Sequence, residues 1–223
     1  MNDDAGPPSF PLLPQVLQGD TADIYFVRAK DILEELHEDP WVGMEIFPAR
    51  ACRVCGITQI RQLLQETGFR GELWSLSEAD SADSGEAAVE IFGHYSQFGI
   101  FETAMLGILA SCTGWCTAAA EAVDAAAGVP VVSFGARHVH ANVAAIMDFA
   151  AVMGGCVTCS TPLGAALAGT APSGTMAHAY ILILGDTVRA ATAFDRIIDP
   201  EVPRVVLVDT FQDEAVESVR AAE

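Results

Sequence analysis

The sequence predicts an α/β protein in two parts, a mixed α+β N-terminal region followed by a parallel sheet covered by helices. Three observations carry that prediction. Up to about residue 127, amphipathic helical stretches are interleaved with short strand-like runs. From Pro130 onward, near-continuous apolar strands alternate with helical stretches, the pattern of strands buried on both faces. Polar motifs then fall at the C-terminal ends of those strands, where the loops of an α/β fold converge.

Taken in order, residues 1–19 are Pro-rich and read as an extended arm. "GDTADIYFVRAKDILEELHEDP" sets Tyr25, Ala29, Ile32, Leu33 and Leu36 at helical spacing, with Asp20 or Thr21 able to cap the start. Tyr25 heads that stripe, and on periodicity it reads as a tyrosine at the edge of a core. "ITQIRQLLQETG" is a short amphipathic helix with Ile57, Ile60 and Leu64 on one face and Gly68 as its stop. "GELWSL" and "AAVEIFGHY" are strand-like runs separated by the polar loop "SEADSADSGE". An apolar helical stretch from about 102 to 127 closes the first part.

In the second part, "PVVSF" (130–134) reads as a buried strand, and Val143, Ile146, Met147, Ala150 and Met153 mark the helix after it. "CVTCS" (156–160) is a second strand, followed by the short apolar segment "PLGAALAG". "PSGTM" reads as a third strand end, with helical residues through about Ile198. "RVVLVD" (204–209) is the clearest strand signal of all, and "QDEAVESVRAAE" follows it. These make four β-α units, with "FGARHVH", "STP", "GTMAH" and "DTFQDE" at the successive strand ends.

Composition narrows the function. The 223 residues are 51% hydrophobic and 18% charged, and eleven Lys and Arg against thirty Asp and Glu give a formal net charge of −19. Nucleic-acid affinity depends on neutralising phosphates, so a chain with no basic stripe is not expected to bind it. Anionic membrane surfaces are disfavoured for the same reason. Salt screens the negative field over roughly 8 Å, so arginines inside a cleft can still capture a small anion. The N-terminus has neither the basic nor the apolar region of a signal peptide. Residues 103–120 lack charges, but Gly107, Ser111, Cys112, Thr113 and Gly114 interrupt them, so they read as a buried helix pair rather than a membrane span. The expectation is a soluble, cytoplasmic protein. Cys52, Cys55, Cys112, Cys116, Cys156 and Cys159 read as buried free thiols rather than a zinc site, because a strand puts Cys156 and Cys159 on opposite faces. With no secretory signal, disulfides are not expected.

The motifs "TADIYFVRAKDIL", "FGHYSQFGIFETAMLGIL", "FGARHVHANVAAIMDFAAVMGG", "PSGTMAH" and "VPRVVLVDTFQDE" resemble nicotinate phosphoribosyltransferases of the compact bacterial and archaeal type, from about residue 19 onward. The resemblance implies an N-terminal α+β domain (1–127) packed on an irregular, TIM-like α/β barrel (128–223), of which about half would be present. It implies an enzyme of NAD biosynthesis that joins nicotinate to phosphoribosyl pyrophosphate, driven by ATP through a phosphorylated histidine, with Mg²⁺ accompanying the phosphates. It also implies a homodimer or higher homo-oligomer with sites at a head-to-tail interface.

By the same resemblance His178 accepts the phosphoryl group, and Ser173, Gly174 and Thr175 before it belong to the substrate site. Arg137 meets a carboxylate or phosphate, for which a planar guanidinium is suited. Many relatives carry a second basic residue where this chain has His138. Asp209 and Thr210 face the ribose and pyrophosphate, Asp209 either binding a ribose hydroxyl or helping to hold Mg²⁺. Tyr25 stacks on the pyridine ring in the partner's site. His140 and Ser160 lie in the same motifs without an assigned role. Blander readings stand beside these: a helix-start histidine for His178, a surface ion pair for Arg137, and a helix cap for Asp209. The alternatives for the whole are a quinolinate phosphoribosyltransferase, with a dicarboxylate substrate and no ATP step, and a non-catalytic product of a truncated or split gene.

Overall fold

The structure, a computed structural model, describes residues 9–223. They form two compact units, one ending at Pro172 and the other spanning Ser173–Glu223.

In the first unit, α1 (Pro14–Leu17) has a proline in its first turn, where the missing N–H costs nothing. Helix α2 (Ile24–Glu35) starts later than expected, after Asp23 rather than at Asp20 or Thr21. The Asp23 carboxylate does not cap it, because it accepts hydrogen bonds from Thr103 Oγ1 and Tyr25 Oη, both at 3.1 Å. Strand β1 (Trp41–Ile46) pairs antiparallel with β5 (Val89–His94), which pairs in turn with β3 (Glu72–Ser75), giving the order β1-β5-β3. Val89, Ile91 and Gly93 of the central strand point into the core, as a period of two requires. Two short strands, β2 (Cys52–Arg53) and β4 (Ser81–Ala82), form a separate pair.

The expected helix at "ITQIRQLLQETG" is α3 (Ile57–Glu66), and Gly68 takes the left-handed conformation that stops it. The polar loop after β3 has a structural task. Glu78 accepts from the backbone N–H groups of Gly56 (2.9 Å) and Thr58 (2.7 Å), satisfying donors that the start of α3 leaves open. Gly56 itself is at φ 107°, and a Cβ there would stand 2.9 Å from the Ile108 side chain.

A short helix, α4 (Tyr95–Phe98), leads through one 3₁₀ turn into α5 (Glu102–Ala125). The expected helix pair is therefore one continuous helix of 24 residues. Each internal glycine costs about 1 kcal/mol relative to alanine, too little to break a helix held by packing. Met105 and Leu109 lie in a core with Ile60, Leu63, Ile91 and Phe98, while Cys112 and Cys116 lie in a second core with Phe10, Cys55 and Phe149. By length and composition alone the stretch Tyr95–Ala125 is long and apolar enough to cross a membrane, and here its buried stripe serves these two cores.

Beyond α5 the strands shrink. The parallel pair β6 (Val132–Ser133) and β7 (Thr158–Cys159) is two residues long, with α6 (Ala144–Met153) as the crossover and α7 (Pro162–Leu167) after β7. All of this lies in the first unit, although the sequence places it at the start of a second domain.

The second unit contains α8 (His178–Leu184), α9 (Thr187–Ile197) and α10 (Glu214–Ala222) around Met176, Ile181 and Ala190. It corrects two expected strands: neither "PSGTM" nor "RVVLVD" forms one. A strand exists by its ladder, and among the described residues no neighbouring strand pairs with 204–209. Arg204 instead ties that segment to the end of α9, donating to the carbonyls of Asp195, Ile198, Asp199 and Val202 and lying 5.7 Å from the Phe194 ring centroid. Val206 and Leu207 then pack on the core of this unit as extended chain. The four expected β-α units are thus two hydrogen-bonded strands and two unpaired segments.

Candidate functional site

The residues singled out by sequence divide between the units. Tyr25 and Arg137 belong to the first; Ser173, Gly174, Thr175, His178, Asp209 and Thr210 belong to the second.

In the second unit His178 is the first residue of α8, and its position there fixes the ring's partners. Its Nδ1 lies 3.2 Å from Thr210 Oγ1 and 3.7 Å from Asp209 Oδ1. The imidazole is 56% exposed and the Asp209 side chain 49% exposed, so the pair is open to solvent. The helix-start reading of His178 holds for its backbone, but its partners are side chains and not a carbonyl. Asp209 caps no helix; Asp213 caps α10, accepting from Val216 N at 3.2 Å. Residues 171–177 form neither helix nor strand, and Thr175 Oγ1 donates to the Met176 carbonyl at 3.3 Å. An imidazole, a carboxylate and a hydroxyl converging in this way can hold a polyol or a polyanion through several hydrogen bonds at once.

In the first unit Arg137 sits in a 3₁₀ turn, Gly135–His138, directly after β6. It is exposed, and among the described residues it enters no ion pair, so the surface-pair reading finds no partner. A guanidinium held at a strand end without a carboxylate partner is available to an anion. Tyr25 is not at the edge of a core. It is 59% exposed on a helix with no buried residue, its ring 4.4 Å from that of Phe26 and its hydroxyl on Asp23. Partial desolvation and the neighbouring Asp23 raise its phenol above the ordinary value, so it stays protonated near neutrality.

Two half-open clefts of this unit lie elsewhere. One of about 390 Å³ is lined by Phe47, Pro48, Arg50, Leu106 and Thr113 among others, and one of about 550 Å³ by Leu12, Gln59, Ile108, Trp115 and Ile146 among others. Neither contains Tyr25 or Arg137. The expected residues form open constellations at chain turns, not the lining of these clefts.

Sequence reasoning missed Asp148. It stands in α6, fully buried, with one oxygen accepting from Ser133 Oγ (2.9 Å) and the other from Thr161 N (3.1 Å) and Thr161 Oγ1 (2.7 Å). The signal was present as one carboxylate inside the apolar run "AAIMDFAAVM", since a charge there must find buried partners. The cysteines are all free, and all but Cys52 are buried. Burial pushes the Cys159 thiol up to about 11, with the Asp148 charge adding to the effect.

Comparison with known proteins bears on the expected families. Residues 23–113 match the N-terminal domain of quinolinate phosphoribosyl transferase. Among solved structures, a nicotinate-nucleotide pyrophosphorylase from Pyrococcus furiosus superposes with a TM-score of 0.87 at 38% identity, over 98% of this chain and 57% of that one. A nicotinate-nucleotide pyrophosphorylase from Ehrlichia chaffeensis (TM-score 0.64, 14% identity, 84% of this chain and 65% of that one) and human nicotinic acid phosphoribosyltransferase (0.65, 15%, 75% and 41%) share the fold. A curated relative, nicotinate phosphoribosyltransferase pncB2 of Mycobacterium tuberculosis, is 31% identical over 144 residues, which is 64% of this chain and 30% of that protein. The chain therefore spans less than two thirds of the length of each of these four proteins.

These findings correct the assignment to the nicotinate phosphoribosyltransferases. The family whose model matches is the quinolinate one, and the nicotinate enzymes are matched only in part. The physical reason is that both kinds of enzyme present loops on the same fold, so motif order along the chain reports the fold more than the substrate. The phosphoryl-acceptor role of His178 and the ATP step rested on that resemblance and lose their support with it.

Proposed function

We propose that the chain is part of a phosphoribosyltransferase of NAD biosynthesis that acts on quinolinate. The observation that carries this reading is the match of residues 23–113 to the N-terminal domain of quinolinate phosphoribosyl transferase. The likeness to a nicotinate-nucleotide pyrophosphorylase over 98% of the chain supports it, and so does the free guanidinium of Arg137. Quinolinate carries one carboxyl more than a nicotinate nucleotide, so by atom balance its conversion to that nucleotide releases carbon dioxide along with pyrophosphate. Here Arg137 binds a substrate carboxylate through a charge-assisted fork. His178, Asp209 and Thr210 hydrogen-bond the ribose hydroxyls and the pyrophosphate. Tyr25 offers an exposed ring that can stack on a pyridine, and the fold belongs to an α/β barrel in a homo-oligomeric enzyme.

Magnesium fits this chemistry, because it is commonly held by one or two carboxylates together with substrate phosphates, and Asp209 offers one exposed carboxylate. Bound there, the ion would neutralise charge on the departing pyrophosphate. Each group's own task is to hold its part of a substrate in place, since fixed geometry removes part of the barrier to a two-substrate transfer.

The test is an assay of the chain with phosphoribosyl pyrophosphate, Mg²⁺ and quinolinate labelled in its carboxyl groups. Release of labelled carbon dioxide without ATP is the expected result. Transfer to nicotinate with ATP and none to quinolinate overturns the reading.

A further inference from the structure

We propose that Asp148 is a positioning residue that clasps the ends of β6 and β7 and thereby sets the Arg137 turn for the substrate anion; the second clause rests on the function proposed above. The carboxylate reaches both strand ends from the crossover helix between them. Its Oδ1 accepts from Ser133, the last residue of β6, two positions before the turn that carries Arg137. Its Oδ2 accepts both the N–H and the hydroxyl of Thr161, two positions after β7 ends. The strand pair is only two residues long, so backbone pairing contributes little to holding these ends in place.

Burial and close neighbours hold the carboxylate in this arrangement. Asp148 is completely buried, so water cannot replace a lost donor. Thr161 uses its hydroxyl twice, donating to Asp148 and accepting from Gly164 N at 3.2 Å, which starts α7. A Cβ at Gly164 would stand 2.5 Å from Asp148 Cβ, and one at Gly135 would stand 2.9 Å from Met147 Cε. The Arg137 turn and the first turn of α7 therefore both close directly onto α6 at glycines. A buried charge with three donors is a strong directional tie, which an apolar residue of the same size could not supply.

The test uses the intact chain and three variants, Ser133→Ala, Thr161→Val and Asp148→Asn. Deuterium uptake is followed by mass spectrometry in peptides covering 131–143 and 157–168, with 57–68 in α3 as reference. Ser133→Ala is expected to speed uptake in 131–143 by about fivefold, the factor of one net hydrogen bond, while 157–168 stays near wild type. Thr161→Val should do the converse, and Asp148→Asn should speed both. Unchanged uptake in both single-leg variants, or an equal rise in the reference peptide, overturns the clasp. If Asp148→Asn does not fold, the two single-leg variants decide alone. A second arm measures quinolinate kinetics: Ser133→Ala should raise KM by about fivefold and leave kcat within about twofold. Altered uptake with unchanged KM overturns the link to Arg137. A wild-type chain that turns over no quinolinate defeats the functional reading, and the exchange arm still decides the clasp.

Discussion

At Gly164 a single hydrogen atom separates the start of α7 from Asp148. A methyl there would meet Asp148 Cβ at 2.5 Å, Thr161 Oγ1 at 2.7 Å and the Ala145 carbonyl at 3.2 Å, none of which can withdraw. Gly164→Ala is expected to destabilise the first unit by about 1–3 kcal/mol, the usual cost of overpacking. Equilibrium denaturation checks it, and an unchanged midpoint refutes it. Arg137 raises a different question, because its side chain is exposed and unpaired. Its value lies in geometry toward an anion, so Arg137→Lys keeps the charge but loses the fork. Calorimetry should then show quinolinate binding weakened by about 1–3 kcal/mol with the melting temperature unchanged.

Between elements, α9 and α10 are joined through charge. Asp186 caps α9 by accepting from Arg189 N at 2.9 Å and also takes a hydrogen bond from Arg220. Arg220 bonds Glu217 as well, at 2.6 Å. The cap and then Arg220 hold the Asp186 carboxyl below its ordinary 3.8, while Thr187 and then Arg220 hold Glu217 below 4.5. Because both folded values are depressed, their stabilisation is complete above the ordinary values and is lost as pH falls through the folded ones. Acid titration followed by far-ultraviolet circular dichroism should therefore unfold α9 and α10 below pH 4.5, and Asp186→Asn should shrink that acid limb.

At this scale the sequence was most legible where periodicity alone decides. The helices α3 and α6 stand where their apolar spacing put them. Strands were less legible, because a strand needs a partner that its own residues do not name. "RVVLVD" has the stronger β-forming composition and stays unpaired, whereas "WVGMEI" forms β1. The alternation of Val42, Met44 and Ile46 was the signal for β1 that went unread. The cluster of His178, Asp209 and Thr210 was legible as two separate motifs, "GTMAH" and "DTFQDE", but Asp148 was hidden by its apolar neighbours.

For the whole molecule, the segment at residues 171–177 carries neither helix nor strand and joins the two compact units. Exposed backbone outside a ladder or helix is cut first by proteases, so brief proteinase K treatment is expected to cleave within residues 171–175, before any site in α5. Early cleavage within 102–125 contradicts that order.

Helix α5 has a consequence for how this chain reaches its native state. One face of the same rod supplies Met105 and Leu109 to one core and Cys112 and Cys116 to the next, with Ile108 packed against both. Neither core can melt while the other keeps the rod straight, so both belong to one cooperative foldon rather than two. A cavity cut at Leu109 should then lower the opening free energy of amides around Phe149 by the same amount as those around Ile91. The helix acts as an axle, and whatever loosens one hub loosens the other.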